Sequence, residues 1–125
     1  MATAAAALTA TACSDSTGLN GNLAGSYELR TINGQSLPVT VSGRTYEAGT
    51  MEIDNNGEFA ETLQFRDFGD AFSTTQNYFG TWDRNGSELR FDYDNNGPTF
   101  FGERTSSSRF VFEDSDGNEW TYVRF

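Results

Sequence analysis

Any chemistry in this chain has to be done with carboxylates, phenols and amides, because the sequence contains no His and no Lys. That removes Ser-His and Cys-His nucleophile systems, Ser-Lys dyads and Schiff-base lysines. A single Cys and no His also exclude zinc sites of the usual kind. Carboxylate pairs of the glycoside-hydrolase type are the one catalytic route left. With 18 Asp and Glu, some pair would lie at a suitable distance in any fold, so the count says nothing about catalysis. The chain is therefore read as non-enzymatic and without a cofactor.

One spacing speaks for a metal. Asp92-x-Asp94-x-Asn96-Gly97, with Glu103 after it, follows the D-x-[DN]-x-[DN]-G-x5-E pattern of calcium loops. Calcium takes six to eight oxygens, and this spacing can wrap carboxylates around one point while Gly permits the sharp turn. The flanks argue the other way. A helix should precede and follow such a loop, yet Ser87–Tyr93 alternates as a strand and Pro98–Arg104 reads as extended. Asp, Asn and Gly are equally what a solvated hairpin turn uses. Asp114-Ser-Asp116-Gly117-Asn118-Glu119 is a looser version of the same pattern.

Two charges stand on apolar faces. Glu61 shares a two-residue period with Phe59, Leu63 and Phe65, and Arg124 follows Trp120 and Tyr122 at the same spacing. A charge so placed must be paired, sit at a rim or line a cavity. Glu61 and Arg124 are thus candidates to orient the polar end of a ligand, with the rim as the plainer alternative. The aromatics Phe59, Phe65, Phe72, Tyr78, Trp82, Phe91, Phe100, Phe110, Phe112, Trp120 and Tyr122 could line a cavity or simply fill the interior.

The elements that must position these residues are strands. Asn33-Gly34, Asn56-Gly57, Asn85-Gly86, Asn96-Gly97 and Asp116-Gly117 punctuate the chain with steps suited to tight hairpin turns. Between them apolar and polar residues alternate, as in half-buried antiparallel strands. Strands are expected near 25–32, 38–47, 50–54, 58–66, 71–83, 87–93, 99–104, 108–113 and 118–125, with no helical stripe. About eight short strands in an up-and-down meander lose their exposed edges best by closing into a barrel. A β-sandwich is the competing all-β architecture.

Charge and length bound the partners. All eight basic residues are Arg, and the net charge is −10 with a pI near 4.2. Such a surface repels phosphate backbones, which disfavours nucleic acid. Of the 125 residues, Met1–Ala12 carry no charge and end in Leu8-Thr-Ala-Thr-Ala12 just before Cys13. This resembles the lipobox of bacterial lipoproteins, which implies a cleaved signal peptide over 1–12 and acylation of Cys13. A basic beginning, expected of a signal peptide, is missing, and a start placed too far downstream would account for it. Residues 13–23 then read as the lipidated Cys and a flexible tether, and 24–125 as one domain. The resemblance implies a protein of the bacterial envelope, anchored through Cys13, in the outer membrane or facing the periplasm.

Gly25-Ser-Tyr27-Glu-Leu29, followed by Ile32-Asn-Gly-Gln-Ser-Leu-Pro38, resembles the opening of small bacterial lipocalin-like lipoproteins and META-type β-domains. Lipocalins start their barrel with Gly-x-Trp and lay an Arg of the last strand across that ring. Tyr27 stands where the Trp would be, and Arg124 is the matching late Arg. A true Gly-x-Trp occurs mid-chain at Gly80-Thr81-Trp82. The resemblance implies a lipocalin-like barrel that binds a small apolar molecule, with Glu61, Arg124, Tyr27, Trp82 and Trp120 as candidate ligand contacts. The alternative is a packed barrel acting as a structural or inhibitory lipoprotein through contact with an envelope protein. Either way, barrel-end turns such as 67–70 and 94–98 would form the recognition surface.

Overall fold

Ten strands form where apolar and polar residues alternate, in the computed structural model, which describes residues 22–125. Cys13 and the 1–12 segment lie outside the described residues. In chain order the strands are β1 (Gly25–Ile32), β2 (Gln35–Ser36), β3 (Val39–Val41), β4 (Arg44–Ile53) and β5 (Glu58–Asp67). They continue with β6 (Thr74–Asn85), β7 (Glu88–Tyr93), β8 (Thr99–Ser106), β9 (Arg109–Glu113) and β10 (Glu119–Arg124). There is no helix among the described residues.

From β4 to β10 each strand pairs antiparallel with the next. β1 closes the ring, because it carries two partners: residues 25–28 pair with β4, and residues 27–32 with β10. The result is a closed eight-stranded antiparallel meander barrel, the lipocalin-like architecture that the sequence implies, with β2 and β3 as short additions beside it. No long edge is left unpaired, which removes the usual route to edge-to-edge association.

The first half of the chain departs from the expected strand limits. A break expected at 48–49 is absent, and β4 runs unbroken from Arg44 to Ile53. Gly49 lies inside this strand because a Cβ there would come 2.9 Å from Leu63 Cδ2 and 3.0 Å from Leu29 Cβ. The true turn lies earlier, at Ser42-Gly43, both with positive φ (52° and 83°), joining β3 to β4. Two left-handed residues in succession are the conformation of a two-residue hairpin loop. A register shift between Tyr46 and Ala48 leaves Glu47 as a bulge. There its carboxylate accepts hydrogen bonds from Gln64, Arg66 and Ser73.

The two ends of the barrel differ. At the first end β1 begins and β10 finishes. There the segment before β1 folds across the opening, and Leu23, expected within the tether, is buried with the core. Arg124 donates from Nη1 to Ala24 O (2.8 Å) and from Nη2 to Asn22 O (2.9 Å) and the Tyr27 hydroxyl (2.8 Å). Its guanidinium lies 5.1 Å from the Tyr27 ring centroid, the arrangement implied by the lipocalin resemblance. Arg104 is buried beside it and donates to the carbonyls of Asn22, Ser106 and Ser107. Above this end a ladder of rings fills the interior. Phe110 stacks on Tyr122 (5.3 Å) and Phe91 (5.4 Å), and Phe112 on Tyr122 (5.9 Å) and Trp120 (6.0 Å). Each such pair contributes about 0.5–1.5 kcal/mol beyond the area it buries.

Candidate functional site

The second end is open. On β6, residues paired with the inward-facing Phe65, Leu63 and Glu61 of β5 are Thr74, Gln76 and Tyr78. Their side of the strand faces the interior, yet Thr74 and Gln76 are exposed and Tyr78 only half-buried. Strands whose inner face reaches solvent bound a hollow. The hollow is a pocket of about 540 Å³, lined by aromatics of six strands (Tyr46, Tyr78, Tyr93, Phe100, Phe112 and Trp120) and rimmed by the turns 94–98 and 114–116. An eight-stranded barrel is just wide enough to be filled by its own side chains. Here Phe59, Phe91, Phe110 and Tyr122 fill the closed half, and the volume of the mouth half is left over.

Glu61 lies where the packed and hollow halves meet. It lines the pocket while being 3% exposed. Tyr93 donates from its hydroxyl to Glu61 Oε1 (2.5 Å), and Tyr122 donates to Oε2. Burial pushes the Glu61 carboxyl above the ordinary carboxylate range, and the two phenol donors only partly offset it. Burial likewise pushes both phenols up, and the neighbouring carboxylate adds to the effect. At neutral pH Tyr93 and Tyr122 are therefore neutral donors. No cation pairs with Glu61 among the described residues.

Trp120 forms one wall, held by the turn that follows β9. Asp114 Oδ1 accepts from the backbone N–H groups of Asp116 and Asn118 (both 2.9 Å), and Oδ2 accepts from Trp120 Nε1 (3.0 Å). Burial acts to raise the Asp114 pKa, but the hydrogen bonds from Trp120, Asn118 and Asp116 outweigh it and hold the carboxyl below its ordinary value. Tyr46 meets Trp120 edge-on at 4.8 Å. Two residues before Tyr46 on β4, Arg44 is committed to Asp67 through two hydrogen bonds (2.6 and 3.1 Å) and lies over the Phe65 ring.

Of the five candidate ligand contacts, the structure brings Glu61 and Trp120 together in this pocket. Tyr27 and Arg124 meet each other at the closed end instead. Trp82 serves the β4–β5 turn, donating from Nε1 to Asp54 O (2.8 Å). Gly80 beside it is needed for packing: a Cβ there would fall 2.1 Å from Asp92 O and 2.7 Å from the Phe59 ring. Of the two expected recognition turns, 94–98 lines the pocket and 67–70 does not.

The calcium spacing does not converge. Asp92 pairs with Thr99 across β7 and β8, whereas Glu103 pairs with Glu88 toward the closed end. Four residues of extended β8 put Glu103 about 13 Å beyond the level of Asp92. Asp92 Oδ1 instead accepts from Thr99 Oγ1 (2.6 Å) and Arg90 Nε (3.3 Å), while Asn95 and Asn96 take the left-handed conformations of the turn. No group of three metal-ligating side chains occurs among the described residues.

Sequence reasoning singled out Glu61 but not its partners, nor Arg104. Tyr93 and Tyr122 lie 32 and 61 residues from Glu61, and only barrel closure joins them. Arg104 did carry a signal, since it follows Phe100 and Gly102 at two-residue spacing on the inner face of β8.

No protein-family model and no curated protein matches the chain. Among solved structures, the crystal structure of a lipocalin-like protein from Bacteroides uniformis ATCC 8492 is similar, at 22% identity and a TM-score of 0.49. The match spans 84% of this chain and 100% of that one.

Proposed function

We propose that the protein is a non-enzymatic binding module that takes a small, largely apolar ligand into the mouth of its barrel. The observation that carries this reading is the 540 Å³ aromatic pocket with one buried carboxyl, Glu61, on its floor. An apolar cavity with few, fixed polar groups is what holds and orients a small molecule. The two phenols hold Glu61 by both oxygens, which suits a fixed recognition group better than a proton-transfer group. Trp120 in the pocket wall supplies the readout. In a Trp82→Phe variant Trp120 is the remaining Trp, and titration with a small apolar molecule such as naphthalene should change its emission saturably. A linear, unsaturable response at concentrations up to solubility would count against a binding pocket.

The proposed setting is the bacterial envelope, with Cys13 acylated and the ligand site displayed from an anchored barrel. Its support is the run of small residues before the lone Cys. Mass spectrometry of membrane-extracted protein tests it, since an unmodified terminus at Met1 or Ala2 would remove the anchor. A second reading, contact with an envelope protein, is favoured by Phe68 and Phe72, which are 94% and 83% exposed on the β5–β6 turn. Replacing both with Ser would abolish such contact and leave the pocket untouched.

A further inference from the structure

We infer that the pocket selects ligands whose polar end is an organic cation, a protonated or quaternary amine, and disfavours carboxylates. This rests on the ligand-binding reading above and names the chemical class of its ligand. The geometry is a buried acid whose partners are all neutral. Both Glu61 oxygens are held by phenol donors, and no guanidinium is within ion-pairing reach among the described residues. A buried carboxylate is costly unless a cation compensates it. Each carboxylate oxygen has two acceptor positions, so one phenol apiece leaves room for a further donor on the pocket side.

The rest of the lining has the same sign. The residues around the pocket include Asp94, Asp114 and Asp116 besides Glu61, and neither Arg nor Lys. Arg44, which lies outside this lining, is already engaged by Asp67 through two hydrogen bonds. The walls are aromatic faces, and rings such as Tyr78, Tyr93, Phe100 and Trp120 attract a cation through their quadrupole. A carboxylate-headed ligand would instead bring like charge toward Glu61 inside a partly desolvated site, a contact that builds discrimination by repulsion. With a net charge of −10, the molecule as a whole also raises the local concentration of cations.

The test holds the tail constant and changes the head. 4-Phenylbutylamine, 4-phenylbutanol and 4-phenylbutyrate carry one apolar tail with a positive, neutral and negative end at neutral pH. Each is titrated against the full chain by calorimetry. The expected order is amine, then alcohol, then carboxylate, with the amine at least tenfold tighter than the carboxylate. In the Glu61→Gln variant the amine-to-alcohol ratio should fall to within about twofold. Equal or tighter binding of the carboxylate to the wild-type protein overturns the inference without any variant. An amine preference undiminished in Glu61→Gln overturns the role of Glu61. If the alcohol binds and the amine is no better, the charge preference falls while the binding module stands. If none of the three binds, the ligand-binding reading falls and takes this inference with it.

Discussion

Glu61 rests on two phenols where most buried acids rest on a guanidinium, and the fold's response to pH follows from that choice. Its folded pKa lies above its ordinary value of 4.5, so the folded state binds that proton more tightly than the unfolded chain. The resulting stability is complete below 4.5 and is lost as pH rises through the raised value. Asp67 and Asp114 behave oppositely: Arg44 holds the first below 3.8, and hydrogen bonds overcome burial to hold the second there. Their contribution is therefore present above 3.8 and lost as pH falls through the lowered values. Melting temperatures of wild type and Glu61→Gln measured from pH 5 to 8 isolate the Glu61 part, because every other carboxylate is common to both. The wild-type curve should fall more steeply with pH than that of the variant. Parallel curves would mean that Glu61 ionises in the fold as freely as in the unfolded chain. At this scale the sequence exposes the anomaly, since Glu61 breaks the apolar period of its strand, and conceals its resolution. Tyr93 and Tyr122 look like ordinary inward aromatics until closure of the ring brings three strands to one point.

Strands were legible where alternation was clean and turns announced themselves with Asn-Gly or Asp-Gly. β5, β7, β9 and β10 follow the expected limits within a residue or two. The misread stretch is the one where Gly means crowding and Ser means a turn. The break expected at 48–49 falls on Gly49, which instead makes room for Leu63 and Leu29 within β4. Ser42 adopts a left-handed conformation more usual for Asn. Gly102 shows the same logic on β8, where a Cβ would lie 2.1 Å from Val111 O and 2.7 Å from Phe112 Cβ. Gly102→Ala should therefore push β8 away from β9 and destabilise the barrel by about 1–3 kcal/mol, the usual range for overpacking. Urea unfolding measures it, and a variant as stable as wild type would show that the two strands have slack between them. Because Phe112 also lines the pocket, this variant should weaken ligand binding as well as the fold.

At the scale of the whole molecule, one barrel divides its interior between two uses. Phe59, Phe91, Phe110 and Tyr122 fill the closed half, while Phe100, Phe112 and Trp120 line the open one. Composition made both uses conceivable, and only the inward direction of each side chain along the barrel axis assigns them. Arg124 secures the closed end from the last strand by reaching back across about a hundred residues to Ala24, Asn22 and Tyr27. Arg124→Ala should cost about 2 kcal/mol, since hydrogen bonds to a charged group contribute about 1.5–3 kcal/mol. Protection of the Leu23–Ser26 amides from hydrogen exchange should fall with it. A variant with wild-type stability and protection would mean that Leu23 burial alone holds the segment.

That latch also has a directional consequence. The chain enters the barrel at Asn22, on the closed end, and the pocket opens at the other. If Cys13 is acylated, the nine residue steps from Cys13 to Asn22 limit the reach to the anchor to about 32 Å at most, at 3.3–3.6 Å per extended residue. Attachment at that end would favour a mouth pointed away from the bilayer. A ligand would then arrive from the aqueous side, as free molecules or from a facing partner, and not by lateral entry from the lipid.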